Sequence, residues 1–93
     1  MRTIEPVGSF RRDLKRELKG RYGKTLSRDL EFIVAKLASD LPLAFRYRDH
    51  ALSGDWSDHR DCHIRPDLVL IYRKPDDEVL QLVRLGSHSE LRL

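Results

Sequence analysis

The residues best suited to acid–base chemistry flank the most apolar segment of the chain. His63 and Asp67 precede residues 68–72, which read Leu-Val-Leu-Ile-Tyr, while His50 lies upstream and His88 lies near the C-terminus. Histidine titrates nearest neutral pH of all side chains, and a carboxylate can orient an imidazole or act as a base itself. These residues could converge at one end of a sheet as an acid–base site, although a lone surface histidine is usually inert.

Two other chemistries are less favoured for the same part of the chain. His59 and His63 are four residues apart, but the chain lacks the paired, closely spaced ligands of structural zinc. Strand alternation places Cys62 on the face opposite His63, together with Ile64, which suits a small buried side chain better than a nucleophile. Asp61, two residues before His63, shares its face. Because neither zinc binding nor a reactive thiol is favoured, we expect no metal and no cofactor.

Several flanking residues could contact a substrate. Trp56 lies in a polar loop, where its indole could stack on a nucleobase or fill the gap between loop and sheet. Arg60, Arg84 and Arg92 flank the proposed site, and guanidinium groups suit phosphate. Exposed arginines on strands are also ordinary solubilising residues, so both interpretations remain open.

The spacing of apolar residues predicts the elements that position these side chains. A short edge strand is expected over 2–7, followed by amphipathic helices over 9–19 and 25–40, a loop over 43–57, three strands over 60–65, 68–74 and 79–85, and a short tail over 87–93. This order predicts an α+β fold with an N-terminal strand and a two-helix hairpin, in which the hairpin packs on one face of a small, mainly antiparallel sheet. The opposite face is then free for chemistry.

Length and composition restrict the class of protein. The chain has 93 residues, which predicts a single domain over 1–93. It contains no apolar stretch of the roughly 20 residues that span a membrane, and no signal-peptide core at its N-terminus. One cysteine cannot form an internal disulfide, so we expect a cytoplasmic protein without a membrane partner.

Charge is unevenly distributed along the chain. Residues 1–28 contain nine lysines and arginines against three acidic residues, whereas the remainder contains nine against twelve. Five of the basic side chains lie on the first predicted helix: Arg11, Arg12, Lys15, Arg16 and Lys19. This pattern predicts a polyanion such as RNA, or an acidic protein, as a partner, and a solvated helix face is the alternative.

Two strings of residues resemble a known family. The run Arg60-Asp61-Cys62-His63-Ile64-x-Pro66-Asp67, the apolar strand after it and the ending Gly86-Ser87-His88-Ser89-Glu90-Leu91 resemble the YafQ branch of the RelE/ParE toxin superfamily. Upstream, Leu41-Pro42-Leu43 and Tyr47-Arg48-Asp49-His50-x-Leu52-x-Gly54-x-Trp56 are similar to the same branch. The resemblance covers nearly the whole chain.

This resemblance implies the toxin of a type II toxin–antitoxin system, a ribosome-dependent endoribonuclease that cuts translated messenger RNA. It implies that His50, His63, Asp67 and His88 are catalytic, with Trp56 in support. The implied reaction is metal-free acid–base catalysis in which the 2′-hydroxyl of the RNA is the nucleophile. The implied partners are the 70S ribosome, the messenger and a cognate DinJ-like antitoxin.

The chain departs from the family pattern at two positions. Leu68 stands where many members have an aromatic residue, and we expect it to lie in the core. Arg92 stands where many members have phenylalanine, which could change base stacking or supply a phosphate-binding cation. Two other functions remain as alternatives: a ParE-like toxin that inhibits a protein such as gyrase by contact alone, and a ribonuclease that acts without the ribosome.

Overall fold

Alternating and continuous apolar runs give this chain a five-stranded sheet. The computed structural model describes all residues from Met1 to Leu93. Its elements are, in order, β1 (Thr3–Pro6), α1 (Gly8–Leu18), α2 (Gly23–Ala38), β2 (His50–Ala51), β3 (Arg60–Arg65), β4 (Leu68–Arg73), β5 (Val79–Gly86) and α3 (His88–Leu91). Two 3₁₀ turns, Phe45–Tyr47 and Gly54–Trp56, flank β2. The predicted α+β class is confirmed.

The sheet is mixed, with the strand order β1-β5-β4-β3-β2. Strands β3, β4 and β5 form an antiparallel meander, as predicted from their short connections. The N-terminal strand β1 lies at one edge and runs parallel to β5, with Ile4 opposite Leu80. At the other edge β2 pairs with β3 and places His50 opposite Asp61. The first strand of the chain and the short strand from the loop before β3 therefore form the two edges of one sheet.

The core follows from the two-residue period of the strands. One face of the sheet packs with α1 and α2 in a core that includes Phe10, Leu26, Leu30, Ile33, Cys62, Ile64, Leu68, Leu70, Tyr72, Leu80, Leu82 and Leu85. The other face buries a smaller cluster of Val69, Ile71 and Leu91. Strand β4 is covered on both faces, which explains its unbroken apolar sequence. The expected core positions of Cys62 and Leu68 are confirmed.

Side chains of α1 complete the edge of β5 that β1 leaves open. Because β1 ends opposite Leu82, the backbone beyond that residue has no strand partner on this side. The Ser9 hydroxyl donates to the Val83 carbonyl at 2.7 Å, and the Asp13 carboxylate accepts from the Leu85 N–H at 3.0 Å. Arg16 donates to the Leu85 carbonyl at 2.8 Å. These bonds satisfy a strand edge that would otherwise be unpaired.

The structure corrects the sequence prediction in two segments. The predicted loop contains the short strand β2, whose two residues are too few to show a period. The predicted tail forms α3, which Ser87 and Glu90 begin with a capping box: the Glu90 N–H donates to Ser87 Oγ, and the Ser87 N–H donates to the Glu90 carboxylate. None of the three helices combines the length and the apolar content needed to cross a membrane.

Candidate active site

The four residues predicted to be catalytic lie together on the sheet face opposite α1 and α2. His63 extends from β3 toward this face, and β2 brings His50 beside it, with ring centroids 6.5 Å apart. His88 begins α3 and packs edge-on against His63 at 4.9 Å between centroids. Asp67 lies in the turn between β3 and β4, within hydrogen-bond distance of His88. The imidazole of His63 is thus the centre of the group.

Asp67 and His88 form a carboxylate–imidazole pair. The Asp67 Oδ1 atom accepts from Nδ1 of His88 at 2.9 Å and from the His88 backbone N–H at 3.1 Å. These two bonds, together with the charge of the imidazole, hold the pKa of Asp67 below its usual value. An ionised carboxylate only accepts, so Nδ1 of His88 carries a proton and Nε2 is the ring nitrogen left for a substrate.

His50 is held by the backbone of the preceding loop. Its Nδ1 lies 2.6 Å from the Arg48 carbonyl, which can only accept, so Nδ1 carries a proton and Nε2 has a free lone pair. The backbone of Arg48 adopts the left-handed conformation, with φ at 50°, which turns this carbonyl toward the ring. Strained backbone of this kind is typical of functional sites, where the surrounding structure enforces it.

A buried carboxylate that the prediction did not include lies beneath the three histidines. Asp61 is only 3% exposed, and its Oδ1 atom has no hydrogen-bond partner. That oxygen lies 3.2 Å from Nδ1 of His50, without the alignment of a hydrogen bond. Burial raises the pKa of Asp61, while the charges of His50, His63 and His88 act in the opposite direction. The sequence signal was an acidic residue on the same strand face as His63.

The environment of His63 favours its neutral form. Burial is the main cause that lowers the pKa of His63, and the charges of His88, Arg48 and His50 lower it further, whereas Asp61 raises it. A neutral imidazole can donate one hydrogen bond and accept another. At neutral pH His63 can therefore contact a phosphate oxygen without carrying a charge.

A cleft of about 390 Å³ opens above this group. His50, Asp61, His63 and His88 line it together with Trp56 and Arg92. Trp56 also packs against the buried cluster of Val69, Ile71 and Leu91, so its indole fills the gap between loop and sheet while its edge borders the cleft. Arg92 follows the last turn of α3 and lines the same cleft as the histidines.

Other predicted site residues lie elsewhere. Arg84 turns toward α1 and pairs with Asp13 at 2.6 Å, while Arg60 pairs with Asp49 at 3.2 Å. Of the five basic side chains of α1, Arg16 binds three acidic side chains and the Leu85 carbonyl. The other four are exposed and unpaired: Arg11, Arg12, Lys15 and Lys19. Arg60, Arg84 and the basic side chains of α1 therefore lie outside the cleft.

Two further observations concern metal binding and covalent chemistry. No group of three or more histidine, cysteine, aspartate or glutamate side chains has the arrangement needed to hold a metal ion. Cys62 is fully buried on the helix-covered face, and burial raises the pKa of its thiol. A thiol in that position cannot reach the cleft or ionise readily.

Comparison with known proteins identifies relatives over almost the full length. The family of bacterial toxins of type II toxin–antitoxin systems called YafQ matches residues 2–93. The mRNA interferase toxin YafQ of Escherichia coli K12 is 37% identical over 91 residues, which cover 97% of this chain and 95% of the relative.

Solved structures agree with this assignment. YafQ in the Escherichia coli DinJ–YafQ complex superposes with a TM-score of 0.83 at 35% identity, with 98% of both chains covered. A copper-bound mutant toxin from Helicobacter pylori gives a TM-score of 0.85 at 38% identity, with 98% of this chain and 99% of that chain covered. On the full-length family match, the sequence identity and the shared fold, the chain belongs to the YafQ family of type II toxin–antitoxin toxins.

Proposed function

We propose that this chain is an endoribonuclease toxin that cuts translated messenger RNA in the ribosome, and that His50, His63, Asp67 and His88 perform the chemistry. The observation that carries the proposal is that three neighbouring imidazoles line one cleft, with the carboxylate of Asp67 bonded to one of them, His88. The Escherichia coli relative is named an mRNA interferase, which supports the same class of reaction.

The reaction uses a nucleophile that the substrate supplies. The 2′-hydroxyl oxygen of one nucleotide attacks the adjacent phosphorus, and the bond from phosphorus to the 5′ oxygen of the next nucleotide breaks. A base must accept the hydroxyl proton, and an acid must give a proton to the leaving 5′ oxygen. The protein itself needs no nucleophile, and we propose that no metal takes part.

His88 is suited to act as the acid. Its Nδ1 is held by Asp67 at 2.9 Å, and this bond orients the ring so that Nε2 can give a proton to the leaving oxygen. Asp67 itself is a poor candidate for the base, because its bonds to His88 lower its pKa. The proton would leave from Nε2, the nitrogen that does not face Asp67.

His50 is suited to act as the base. The Arg48 carbonyl fixes its Nδ1 as the donor, so the lone pair of Nε2 is free to accept the 2′-hydroxyl proton. The buried carboxylate of Asp61 then stabilises the imidazolium that forms. His63 stands between the two other rings, where a neutral imidazole and the guanidinium of Arg92 can bind the phosphate.

The partners follow from the exposed charges and from the relatives. We propose that the unpaired cations of α1, among them Arg11, Arg12 and Lys15, bind ribosomal RNA. Because translating ribosomes are cytoplasmic, the toxin would act there as a single domain. The complex of the Escherichia coli relative with DinJ supports a DinJ-like antitoxin as the inhibitor of this chain.

Alanine substitution tests the catalytic group. In a reconstituted translation system followed by primer extension, alanine at His50, His63, Asp67 or His88 should each lower the cleavage rate by about 10²–10⁴-fold. His59 is the matched control, because it is a histidine that does not line the cleft. Its ring lies beside Trp56, and its Nδ1 lies 3.1 Å from the Ser57 carbonyl. Full cleavage by folded variants, with unchanged circular dichroism, would place the site elsewhere.

A further inference from the structure

We propose that a groove between α2 and the turn Phe45–Tyr47 holds the single-stranded messenger beside the cut, with bases on its aromatic rings and phosphates on its arginines. The groove has a volume of about 1080 Å³. We call it the aromatic groove and use six of its residues: Phe32, Phe45, Tyr47, Arg28, Arg46 and Arg48. The inference rests on the proposed function and extends it.

The aromatic groove is continuous with the catalytic cleft. His63 and His88 line both spaces, so a strand that places its phosphate at these imidazoles must leave through one of them. The groove is nearly three times as large as the cleft and is open to solvent along α2. It therefore offers a path for the nucleotides that adjoin the scissile bond.

Two of its aromatic rings are exposed, while the third, Tyr47, also packs partly against the core. Phe45 is 96% exposed and Phe32 is 50% exposed, although both are large apolar side chains. Tyr47 lies 6.4 Å from Phe32, with the ring planes inclined by 42°. A cluster of exposed apolar rings marks an interaction site, and unpaired bases are planar ligands that stack on such rings.

The charges of the aromatic groove favour a polyanion. Arg46 and Arg48 form no salt bridge, whereas Arg28 lies 3.5 Å from the Asp29 carboxylate. The guanidinium of Arg46 lies over the Tyr47 ring at 4.9 Å. Asp29 is the only acidic lining residue, and Arg65 neutralises it at 2.6 Å. An acidic peptide would satisfy the arginines, but RNA satisfies the arginines, the exposed rings and the connection to the histidines together.

Binding to an RNA that cannot be cleaved tests the groove separately from catalysis. The probe is a fluorescein-labelled, single-stranded oligouridine with 2′-O-methyl groups, measured by anisotropy with the whole protein. Phe45→Ala should weaken binding by about 5- to 150-fold, the range found for loss of one stacked base. Phe45→Trp should keep the affinity for RNA. The tryptophan fluorescence that this variant gains over the parent, which contains only Trp56, should be quenched when RNA binds.

Two further comparisons separate stacking from charge. Leu41→Ala removes another exposed apolar side chain, 53% exposed and outside the groove, and should leave binding unchanged. Arg46→Ala combined with Arg48→Ala should reduce the salt slope of binding by about 1.4, since each lost phosphate contact on a single strand contributes about 0.7. The same slope in the double variant would overturn the role of these arginines.

Two results would overturn the inference without touching catalysis. They are no binding of the probe by the parent protein, and equal RNA affinity of Phe45→Ala and the parent. If Phe45→Ala then also binds the antitoxin more weakly, the groove belongs to the antitoxin. If the parent protein cuts no messenger but binds the probe through Phe45, the proposed function fails while the groove stands.

Discussion

The buried carboxylate of Asp61 allows a prediction that separates function from stability. Asp61→Asn keeps the shape of the side chain and removes its negative charge. In the structure this charge is almost fully buried, has one oxygen without a hydrogen bond, and lies beside His50. A fold gains little from such a group, so we expect its value to lie in stabilising positive charge on the histidines.

The size of the effect follows from the separation of the two charges. At 3.2 Å between Asp61 Oδ1 and His50 Nδ1, Coulomb's law gives about 1 kcal/mol in water and about 5 kcal/mol at an effective dielectric constant of 20. The His50 side chain is 53% exposed, so solvent screening favours the lower part of this range, about 1–2 kcal/mol. If His50 becomes an imidazolium in the transition state, Asp61→Asn should slow cleavage by about 5- to 30-fold.

Stability should respond in the opposite direction. The pKa of Asp61 is raised in the folded protein, so ionisation disfavours folding as the pH rises through the ordinary carboxyl range. The neutral amide escapes this cost, and we expect Asp61→Asn at neutral pH to match or exceed the parent by up to about 1 kcal/mol in the free energy of unfolding. Below the ordinary pKa of the carboxyl group the difference should vanish.

Three measurements test this reasoning. Primer extension gives the single-turnover cleavage rate, urea denaturation gives the free energy of unfolding, and a nuclear magnetic resonance titration follows the imidazole of His63. The pKa of His63 should fall further in Asp61→Asn, because Asp61 raises it in the parent. Asp55→Asn, at an exposed carboxylate in the turn Gly54–Trp56 before β3, is the control. A variant that cuts at the full rate, or that loses activity in proportion to lost stability, would refute the proposed role.

Three further predictions concern the rest of the chain. Asp13→Ala should cost about 3 kcal/mol in urea denaturation at neutral pH, because Arg84 and the Leu85 N–H lose their acceptor. Burial raises the pKa of Asp13, but these bonds and nearby cations lower it overall, so this difference should disappear as the pH falls through the depressed pKa. Arg12→Glu with Lys15→Glu should weaken ribosome binding and flatten its salt dependence, and an unchanged slope would make these residues a solvated face. Arg92→Ala should lose more rate than Arg92→Lys, and Arg92→Phe should keep cleavage but change the codons that are cut in primer extension, whereas removing residues 92 and 93 without effect would refute both.

The central part of the fold could be predicted because its residues follow simple periods. The five apolar residues of β4 indicated a strand covered on both faces, and the alternation of β3 placed Cys62 and His63 on opposite faces. The short connections of β3, β4 and β5 then required antiparallel pairing. These inferences needed only the chain and the geometry of a pleated strand.

The partners of charged side chains could not be predicted in the same way. Arg84 and Arg16 look like any other basic residue in the sequence, yet in the fold they bind the buried Asp13. Their partner is set by the contact of α1 with the open edge of β5, which no local pattern specifies. Asp61 shows the converse: a carboxylate at an ordinary strand position acquires its significance from the ring that β2 places beside it.

The position of His88 depends on elements that are distant in sequence. Its helix α3 has only four residues, too few to be stable alone, so its orientation must come from outside. The capping box of Ser87 and Glu90 begins the helix, Leu91 anchors it in the cluster of Val69 and Ile71, and Glu90 pairs with Arg16 of α1 at 3.1 Å. The sequence motif could identify His88 as a candidate site residue, but its contact with His63 requires that α1, β4 and α3 already be assembled. The geometry of the site is therefore a property of the complete fold.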